Sequence, residues 1–414
     1  MSVRGKKWGE CRLKTLKKCP LFCDIIEKEV GTGHVSETRT MGVGESRNEP
    51  EKSRKENWKE RIEMSVKVLH LGAQKRYETY DPHTPFSDAA EKIYLPMDTP
   101  LAQLLGQEAL SEEEMLAGTD KGADAATWLD ADFIIADAVA KVPGELIRAM
   151  PRLKMIHSEG VAFNSFDWEE AARLGVYVCN CRGANKAAVA EQAVLLMLAC
   201  LRNAGEGDRA VREGRQINVK ERMMVEGFAE LGDCTVGLVG FGAIAKETAK
   251  RLAAFGCKVV YYARHQASAE EESLCHAAYL PLDELLAESD IVSLHVPVTK
   301  ETTGMVDTRF LEQMKETAWL INTARGEIVD NEALAAAITG GVIAGAGIDT
   351  LAPEPVQADH PLVNLPSPYC DRVFFSPHIG GVTSTMFKKA HRLIWENIEK
   401  TARGERPDNI CNGI

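Results

Sequence analysis

Three short segments in the C-terminal half of the chain each carry one group that can assist the reduction of a carbonyl. Arg325 lies in an Asn-Thr-Ala-Arg-Gly run, Glu354 lies between two prolines, and His378 follows a proline. A guanidinium can hold a carboxylate and polarise the adjoining carbonyl, an imidazolium can deliver a proton, and a carboxylate can keep that imidazolium charged. Together these groups suit the reduction of a 2-oxo acid, provided that another part of the chain binds a hydride donor.

A candidate site for the hydride donor lies upstream, in a glycine-rich turn. The apolar run 235–239 leads into Gly-Phe-Gly-Ala-Ile-Ala at 240–245, and a helical pattern continues to about Phe255. This strand, turn and helix would direct backbone N–H groups and the positive helix end at a pyrophosphate. A second apolar run at 258–262 favours a dinucleotide site over a turn that only joins strand to helix. The residues predicted to contact the cofactor here are Gly240, Gly242, Ala243 and Ile244.

The end of the second apolar run bears on the choice between NAD(H) and NADP(H). It reads Tyr-Ala-Arg-His at 262–265, without the carboxylate that binds a ribose 2′-hydroxyl in NAD-selective sites. Arg264 would instead offer a cation to a 2′-phosphate, although a solvated surface arginine is the alternative interpretation. The sequence therefore favours NADP(H), with NAD(H) possible.

These motifs and their order resemble the D-isomer-specific 2-hydroxyacid dehydrogenase family from about Val66 onward, in particular its NADP-type members that act on glyoxylate or hydroxypyruvate. Other matching segments are His-Val-Pro at 295–297 and the stretch 349–355. The resemblance implies that Arg325, Glu354 and His378 are catalytic. It implies that the substrate carboxylate is bound by Arg325 and by the loop of Gly160, Val161 and Ala162. It places further cofactor contacts at Val296, Pro297, Thr302, Thr323, Ala324 and Asp349.

The elements that must position these residues follow from alternating apolar runs and amphipathic segments. Strands are predicted at 66–71, 133–136, 153–157, 176–180, 235–239, 259–262, 291–295, 318–321, 344–348 and 373–375. Helices are predicted at 167–174, 186–202 and 385–403. Arg325, Glu354 and His378 each follow a predicted strand, and ligands bind at the carboxyl ends of strands in open α/β sheets. Taken singly, each of the three could be an ordinary surface residue.

The predicted fold class is α/β, with two Rossmann- or flavodoxin-like parallel-sheet domains and a cleft between them. Residues 64–183, completed by 379–414, form the predicted substrate domain, and residues 184–378 form the NAD(P)-binding domain. Residues 1–63 are rich in charged and small residues, which predicts a disordered extension. A hypothesis is that Met64, just before the first strand, is the functional start.

Composition excludes several classes of protein. The net charge of −12 argues against a nucleic-acid partner, and no apolar run approaches the ~20 residues of a membrane span. The 11 cysteines include no CxxC pair, so we expect reduced cysteines, a cytoplasmic location and no metal site. The helix at 187–201 is apolar almost all round, which together with the family resemblance predicts a homodimer.

The identity of the substrate depends on weaker observations. Asp137 and Glu159 are predicted near the mouth of the cleft, where two acids would repel a phosphate. We therefore expect a small 2-oxo or 2-hydroxy acid such as glyoxylate or hydroxypyruvate, and not phosphoglycerate. A protein of a different class, a dinucleotide-sensing corepressor on the same fold, could keep the same three catalytic residues.

Overall fold

The computed structural model describes residues 66–107 and 127–414. The extension predicted at 1–63 and the proposed start at Met64 lie outside the described residues. Within the described part, two parallel β-sheets are each covered by helices on both faces, which is the predicted fold class. The predicted fold is confirmed.

The first sheet has the strand order β2-β1-β3-β4-β5, the flavodoxin-like arrangement. Its strands are β1 (Lys67–Leu71), β2 (Glu91–Leu95), β3 (Phe133–Ala136), β4 (Met155–Ser158) and β5 (Tyr177–Cys179). The helices within this part are α1 (Gln74–Tyr80), α2 (Pro85–Ala89), α3 (Leu101–Leu104), α4 (Gly144–Ala149) and α5 (Trp168–Arg173). All four residues of β3 are buried, and successive side chains enter different hydrophobic clusters on the two faces of the sheet.

The second sheet has the order β12-β11-β10-β9-β6-β7-β8, the arrangement of a dinucleotide-binding domain. Its strands are β6 (Thr235–Val239), β7 (Lys258–Tyr262), β8 (Ala277–Tyr279), β9 (Ile291–Leu294), β10 (Trp319–Asn322), β11 (Gly345–Ile348) and β12 (Val373–Phe375). Its helices are α6 (Lys186–Leu201), α7 (Ala204–Arg212), α8 (Gln216–Glu226), α9 (Ala243–Phe255), α10 (Ala269–Cys275), α11 (Leu282–Glu288), α12 (Thr308–Glu312) and α13 (Asn331–Thr339). Short 3-10 turns lie at Leu231–Asp233, Gly326–Ile328 and Tyr369–Arg372.

After His378 the chain returns to the first sheet through α14 (Ser384–Ala402). The helix begins at Thr383, whose side chain accepts a hydrogen bond from the Met386 backbone. Its apolar residues recur at helical spacing and pack against β1, β3 and β4. The C-terminal residues then bond to β5, where the Asn412 side chain accepts from Val178 N at 3.1 Å. The segment after the candidate histidine thus completes the core of the first domain.

Two edge strands were absent from the sequence-based expectation. Strand β2 carries Glu91 and Lys92 and is only partly buried, and β8 contains two alanines, which have weak β propensity. Both strands form because an adjacent strand offers unpaired backbone groups, with β2 pairing to β1 and β8 pairing to β7. Neither strand carries a residue of the predicted site.

Helix α6 uses most of its apolar surface within its own chain. Val189, Val194, Leu196 and Leu201 are buried, and α6 packs on α9, β10 and β11, whereas Leu195 is exposed. Nearly all of the apolar residues of α6 are therefore used within the chain, so this helix gives little support to the predicted homodimer. Within residues 66–107 and 127–414, no single helix is long and apolar enough to span a membrane. The helices α6 and α7, which meet at a bend, reach that length and apolar composition only when they are counted together.

Candidate active site

The three candidate catalytic residues lie after neighbouring strands of the second sheet. Arg325 follows β10, Glu354 follows β11 and His378 follows β12, and these strands pair in parallel. Parallel neighbours end at the same edge of a sheet, so the three loops lie side by side. This is the edge at which the sequence predicted that they would meet.

His378 and Glu354 form a direct pair. The Nδ1 atom of His378 lies 2.8 and 2.7 Å from the two carboxylate oxygens of Glu354. About a third of the histidine side chain and half of the glutamate side chain are exposed, so Nε2 can face an incoming ligand. A carboxylate on Nδ1 fixes the orientation of the ring, which leaves Nε2 able to exchange a proton with a ligand.

The loop that carries His378 is held by Asp349, the residue directly after β11. The buried carboxylate of Asp349 accepts hydrogen bonds from the Ser376 hydroxyl, from Ile379 N at 3.1 Å and from Gly380 N at 2.8 Å. Its backbone oxygen accepts from His378 N at 2.8 Å. His378 has a φ of +54°, a conformation that costs a non-glycine residue about 1–2 kcal/mol. Asp349 therefore fixes the histidine loop and keeps little acceptor capacity for the predicted nicotinamide contact.

Arg325 is held by backbone contacts on either side. The Asn322 side chain bridges the loop, since its Nδ2 donates to Arg325 O at 2.9 Å and its Oδ1 accepts from Ala324 N at 3.0 Å. Gly326 lies so close to the chain at Leu351 that a Cβ atom there would fall well under 3.0 Å from backbone atoms. The arginine loop and the loop that leads to Glu354 are thus pressed together, and only glycine fits between them.

The glycine-rich turn fits a dinucleotide. A Cβ on Gly240, which has a φ of +99°, would lie 2.6 Å from the backbone oxygen of His295. Gly242 faces open space and precedes the first turn of α9, whose N–H groups lack a side-chain cap. Ala243 and Ile244 form that first turn, so an anionic pyrophosphate can approach the helix end closely. The turn lies where β6 and β9 are neighbours, at the reversal of strand order that marks the ligand crevice.

The other predicted cofactor residues line the strand ends beside this crevice. Val296 and Pro297 follow β9, and Thr302 donates its hydroxyl to Pro297 O at 2.6 Å, which closes that loop. The hydroxyl of Thr323 is buried and has no hydrogen-bond partner among residues 66–107 and 127–414. Burial lowers the pKa of His295 to about 4, so its ring is neutral and bonds Ser293 at 3.0 Å. An unpaired buried hydroxyl at a crevice edge is consistent with a polar group of the ligand.

Arg264 is exposed at the end of β7, which fits both a contact with a 2′-phosphate and a solvated surface arginine. A hydrogen bond with Thr299 and the charge of Arg264 lower the pKa of Glu301, which lies on the loop after β9. The guanidinium of Arg264 therefore lies close enough to Glu301 to feel its charge. A cofactor phosphate would have to compete with that carboxylate for the guanidinium.

The loop of Gly160, Val161 and Ala162 presents two free backbone amides. Its three carbonyl groups are held inward: Gly160 O accepts from Cys181 N at 2.8 Å, Val161 O from Asn180 Nδ2 at 2.7 Å and Ala162 O from Ser158 Oγ at 2.6 Å. The Gly160 amide donates to Ser158 Oγ at 3.2 Å, and the part of the chain that the structure describes offers no acceptor to the amides of Val161 and Ala162. Two adjacent free N–H groups suit a carboxylate.

Asp137 and Glu159 are not the open charges that the sequence suggested, because both pair with Arg76. Arg76 lies 2.7 Å from Asp137 and 2.6 Å from Glu159, and His391 lies 2.7 Å from Glu159. Sequence reasoning missed Arg76 because a lone arginine in an amphipathic helix carries no signal of a buried partner. It also missed Asn180 and Ser376, polar strand-end residues whose position was the only available sign.

A dinucleotide-binding sheet whose carboxyl edge also carries an ion-paired proton donor is the arrangement of a nicotinamide-dependent oxidoreductase that acts on a CH–OH group. Residues 194–380 match the family model of the NAD-binding domain of D-isomer-specific 2-hydroxyacid dehydrogenases. Glyoxylate reductase from Korarchaeum cryptofilum is 36% identical over 283 residues, which make up 68% of this chain and 83% of the relative. Glyoxylate reductase from Thermofilum pendens is 38% identical over 283 residues, 68% of this chain and 82% of the relative.

A solved structure agrees with these relatives. D-mandelate dehydrogenase from Rhodotorula graminis superposes with a TM-score of 0.68 at 27% identity, covering 84% of this chain and 98% of that one. The chain belongs to the D-isomer-specific 2-hydroxyacid dehydrogenase family, as its motifs predicted.

Proposed function

We propose that this protein reduces small 2-oxo acids of the glyoxylate and hydroxypyruvate type, with NADPH as the preferred hydride donor. The observation that carries the proposal is the His378–Glu354 pair at 2.7–2.8 Å, on the same sheet edge as Arg325. The names of the relatives support glyoxylate as the model substrate. A nicotinamide dinucleotide, when bound along the glycine-rich turn, supplies the hydride.

The residues of the chain perform the remaining tasks. The amides of Val161 and Ala162 and the guanidinium of Arg325 bind the substrate carboxylate, and Arg325 also polarises the carbonyl oxygen. Nε2 of His378 delivers a proton to that oxygen as negative charge develops on it, while Glu354 orients the ring through Nδ1. In the reverse direction the neutral ring accepts the proton from the hydroxyl group. Positioned acid–base catalysis of this kind accelerates a reaction by about 10²–10⁴-fold.

The preference for NADPH is supported by the end of β7, where Arg264 is exposed and no carboxylate occupies the position that binds a ribose 2′-hydroxyl. Glu301 moderates this preference, because its charge lies near Arg264. We expect NADPH to be favoured, with NADH still accepted as a weaker cofactor.

We also propose that the protein forms a homodimer and lies in the cytoplasm. The exposed apolar residues that support a dimer lie mainly on α7, on α8 and just after α8, and one more lies on α6. Its residues are Leu195, Val211, Ile217, Met224, Val225 and Phe228. Apolar surface of this kind suits an isologous two-fold contact. The eight cysteines of the described residues are unpaired, which supports a reducing compartment.

The decisive experiment is a panel of 2-oxo acids assayed with NADPH and with NADH by nicotinamide absorbance. We expect turnover of glyoxylate and hydroxypyruvate and none of 3-oxo acids, because Arg325 must reach the carboxylate and the adjoining carbonyl together. A protein that binds NADPH but turns over no 2-oxo acid would instead act as a dinucleotide-sensing corepressor. The relatives, which are named as reductases, do not favour that alternative.

A further inference from the structure

A cluster of polar side chains centred on the buried Glu159 lies next to the loop with the two free amides. We call Arg76, Asp137, Glu159 and His391 the Glu159 cluster. Nη2 of Arg76 lies 2.6 Å from one oxygen of Glu159, and Nε2 of His391 lies 2.7 Å from the other. The same Arg76 atom lies 2.7 Å from Asp137. The side chains of Glu159 and His391 are each 3% exposed, so both oxygens of a buried carboxylate are engaged by nitrogen donors.

The cluster joins four separate elements of the first domain. Arg76 belongs to α1, Asp137 follows β3, Glu159 follows β4 and His391 belongs to α14. Glu159 N donates to Ala136 O at 2.9 Å and the next residue begins the amide loop, so a shift of Glu159 would redirect that loop. Helix α14 starts six residues after His378. The cluster therefore connects the carboxylate-binding loop to the helix that follows the histidine loop.

Stability alone does not explain this cluster. Removing charges from water costs several kcal/mol per ion, and apolar residues of similar volume often serve as well. Burial alone would lower the pKa of Arg76, but the charges of Glu159 and Asp137 raise it, so the guanidinium stays charged. Buried ionic groups are best understood where they fix one arrangement among several. Here, the arrangement that is fixed is the direction of the neighbouring amides.

We propose that Glu159 is a positioning residue for substrate binding, whose ion pair with Arg76 and hydrogen bond with His391 aim the amides of Val161 and Ala162 at the substrate carboxylate. The inference rests on the proposed reduction of 2-oxo acids and deepens it. Glu159 does not touch the substrate, and it acts through the loop that follows it. Its loss should weaken the binding of any ligand carboxylate, with little effect on the proton donor or on the cofactor.

Glu159→Gln tests the proposal with almost no change of shape. The carboxamide carries no negative charge, so it weakens the contact with the Arg76 guanidinium, and its NH₂ group can meet His391 only by reversing the direction of the hydrogen bond at Nε2. We expect KM for glyoxylate and Kd for oxamate, a carboxylate analogue that is not reduced, to rise about ten- to a hundredfold. The value of kcat and the Kd for NADPH should stay within about threefold of the unmodified enzyme.

Asp132→Asn is the matched control. Its side chain is also 3% exposed and pairs with Arg152 and Lys154, but it precedes β3, at the sheet edge opposite the cleft. We expect this variant to lower the melting temperature while leaving KM and the oxamate Kd unchanged. Equal changes in both variants, or an unchanged oxamate Kd in Glu159→Gln, would overturn the proposal.

Two substitutions of Arg76 test the same proposal if Glu159→Gln does not fold. About a quarter of the Arg76 side chain is exposed, so these changes should be tolerated more easily. Arg76→Lys keeps a cation in the cluster and should retain more affinity for oxamate than Arg76→Met. Two folded variants that bind oxamate as the unmodified enzyme does would also overturn the proposal. An unmodified protein that turns over no 2-oxo acid would count against the proposed function itself, which these variants do not address.

Discussion

Substitution of Gly326 by alanine should separate the two loops that carry Arg325 and Glu354. A Cβ atom there would fall well under 3.0 Å from backbone atoms of Leu351 and Ala352, and no flexible side chain can yield. Carbon atoms rest about 3.5–4.0 Å apart, so the loops would have to move apart by about 1 Å. Displacement of a catalytic group by about 1 Å can cost about 10²-fold in rate. We therefore expect kcat/KM to fall at least a hundredfold, or about 2.7 kcal/mol of transition-state stabilisation.

Steady-state kinetics with glyoxylate and NADPH measure this loss, and a thermal melt of the same sample separates it from unfolding. Gly207→Ala is the matched control, because Gly207 lies within helix α7 and a Cβ there meets nothing within 4 Å. This control should be neutral or slightly stabilising, since alanine favours a helix. A folded Gly326→Ala enzyme with kcat/KM within threefold of the unmodified enzyme would refute the link between this close approach and catalysis.

Four further outcomes are expected. His378→Ala should lower kcat by about 10²–10⁴-fold, and Glu354→Gln should lower kcat less, because the ring keeps its Nε2 and loses only the carboxylate that orients it through Nδ1; near-normal turnover by His378→Ala would contradict these roles. The unmodified enzyme should show at least about tenfold higher kcat/KM with NADPH than with NADH, and Arg264→Ala should remove most of that preference; equal use of both cofactors before mutation would be the contrary result. Val225→Glu, at an 89% exposed position, should convert a dimer into a monomer by light scattering, and a monomeric unmodified protein at micromolar concentration would count against the dimer. Burial lowers the pKa of His70 to about 3, below its value in the unfolded chain, so the stability that the neutral ring allows is present above about pH 6.5 and is lost as pH falls toward 3. In urea unfolding, His70→Phe should therefore raise the free energy of unfolding at pH 5 by about 2 kcal/mol relative to its effect at pH 8. Equal effects at the two pH values would contradict this explanation.

Strands β10 and β11, which precede Arg325 and Glu354, could be predicted because each is a short, mostly buried run. Residues such as those of β10 and β11 are apolar or small and are bounded by polar or turn-forming residues, which is the pattern of a parallel sheet covered on both faces. The order of the motifs then placed Arg325, Glu354 and His378 each in the loop after one predicted strand. What the sequence did not provide was the edge strand β8, where packing against β7 overrides the weak propensity of alanine.

The contacts that hold the site in place were beyond sequence reasoning. Asp349 was expected to meet the nicotinamide, yet its carboxylate is bonded to backbone amides 30 and 31 residues further along the chain. Glu159 was taken as an open negative charge, although its partner His391 lies 232 residues away. Backbone amides are present in every residue, and a distant ion-pair partner leaves no local pattern. Such contacts become visible only when the fold brings the segments together.

The anchoring of the histidine loop by Asp349 links the binding of the substrate to the binding of the cofactor. The bonds of Asp349 make His378 part of the domain that carries the dinucleotide crevice, whereas the free amides of Val161 and Ala162 belong to the first domain. In the proposed reaction a substrate contacts His378 and these amides together, so it should favour the arrangement in which the two domains are drawn together. The cofactor should favour the same arrangement, and each ligand should then tighten the other by an identical factor, because a coupling free energy between two sites is reciprocal.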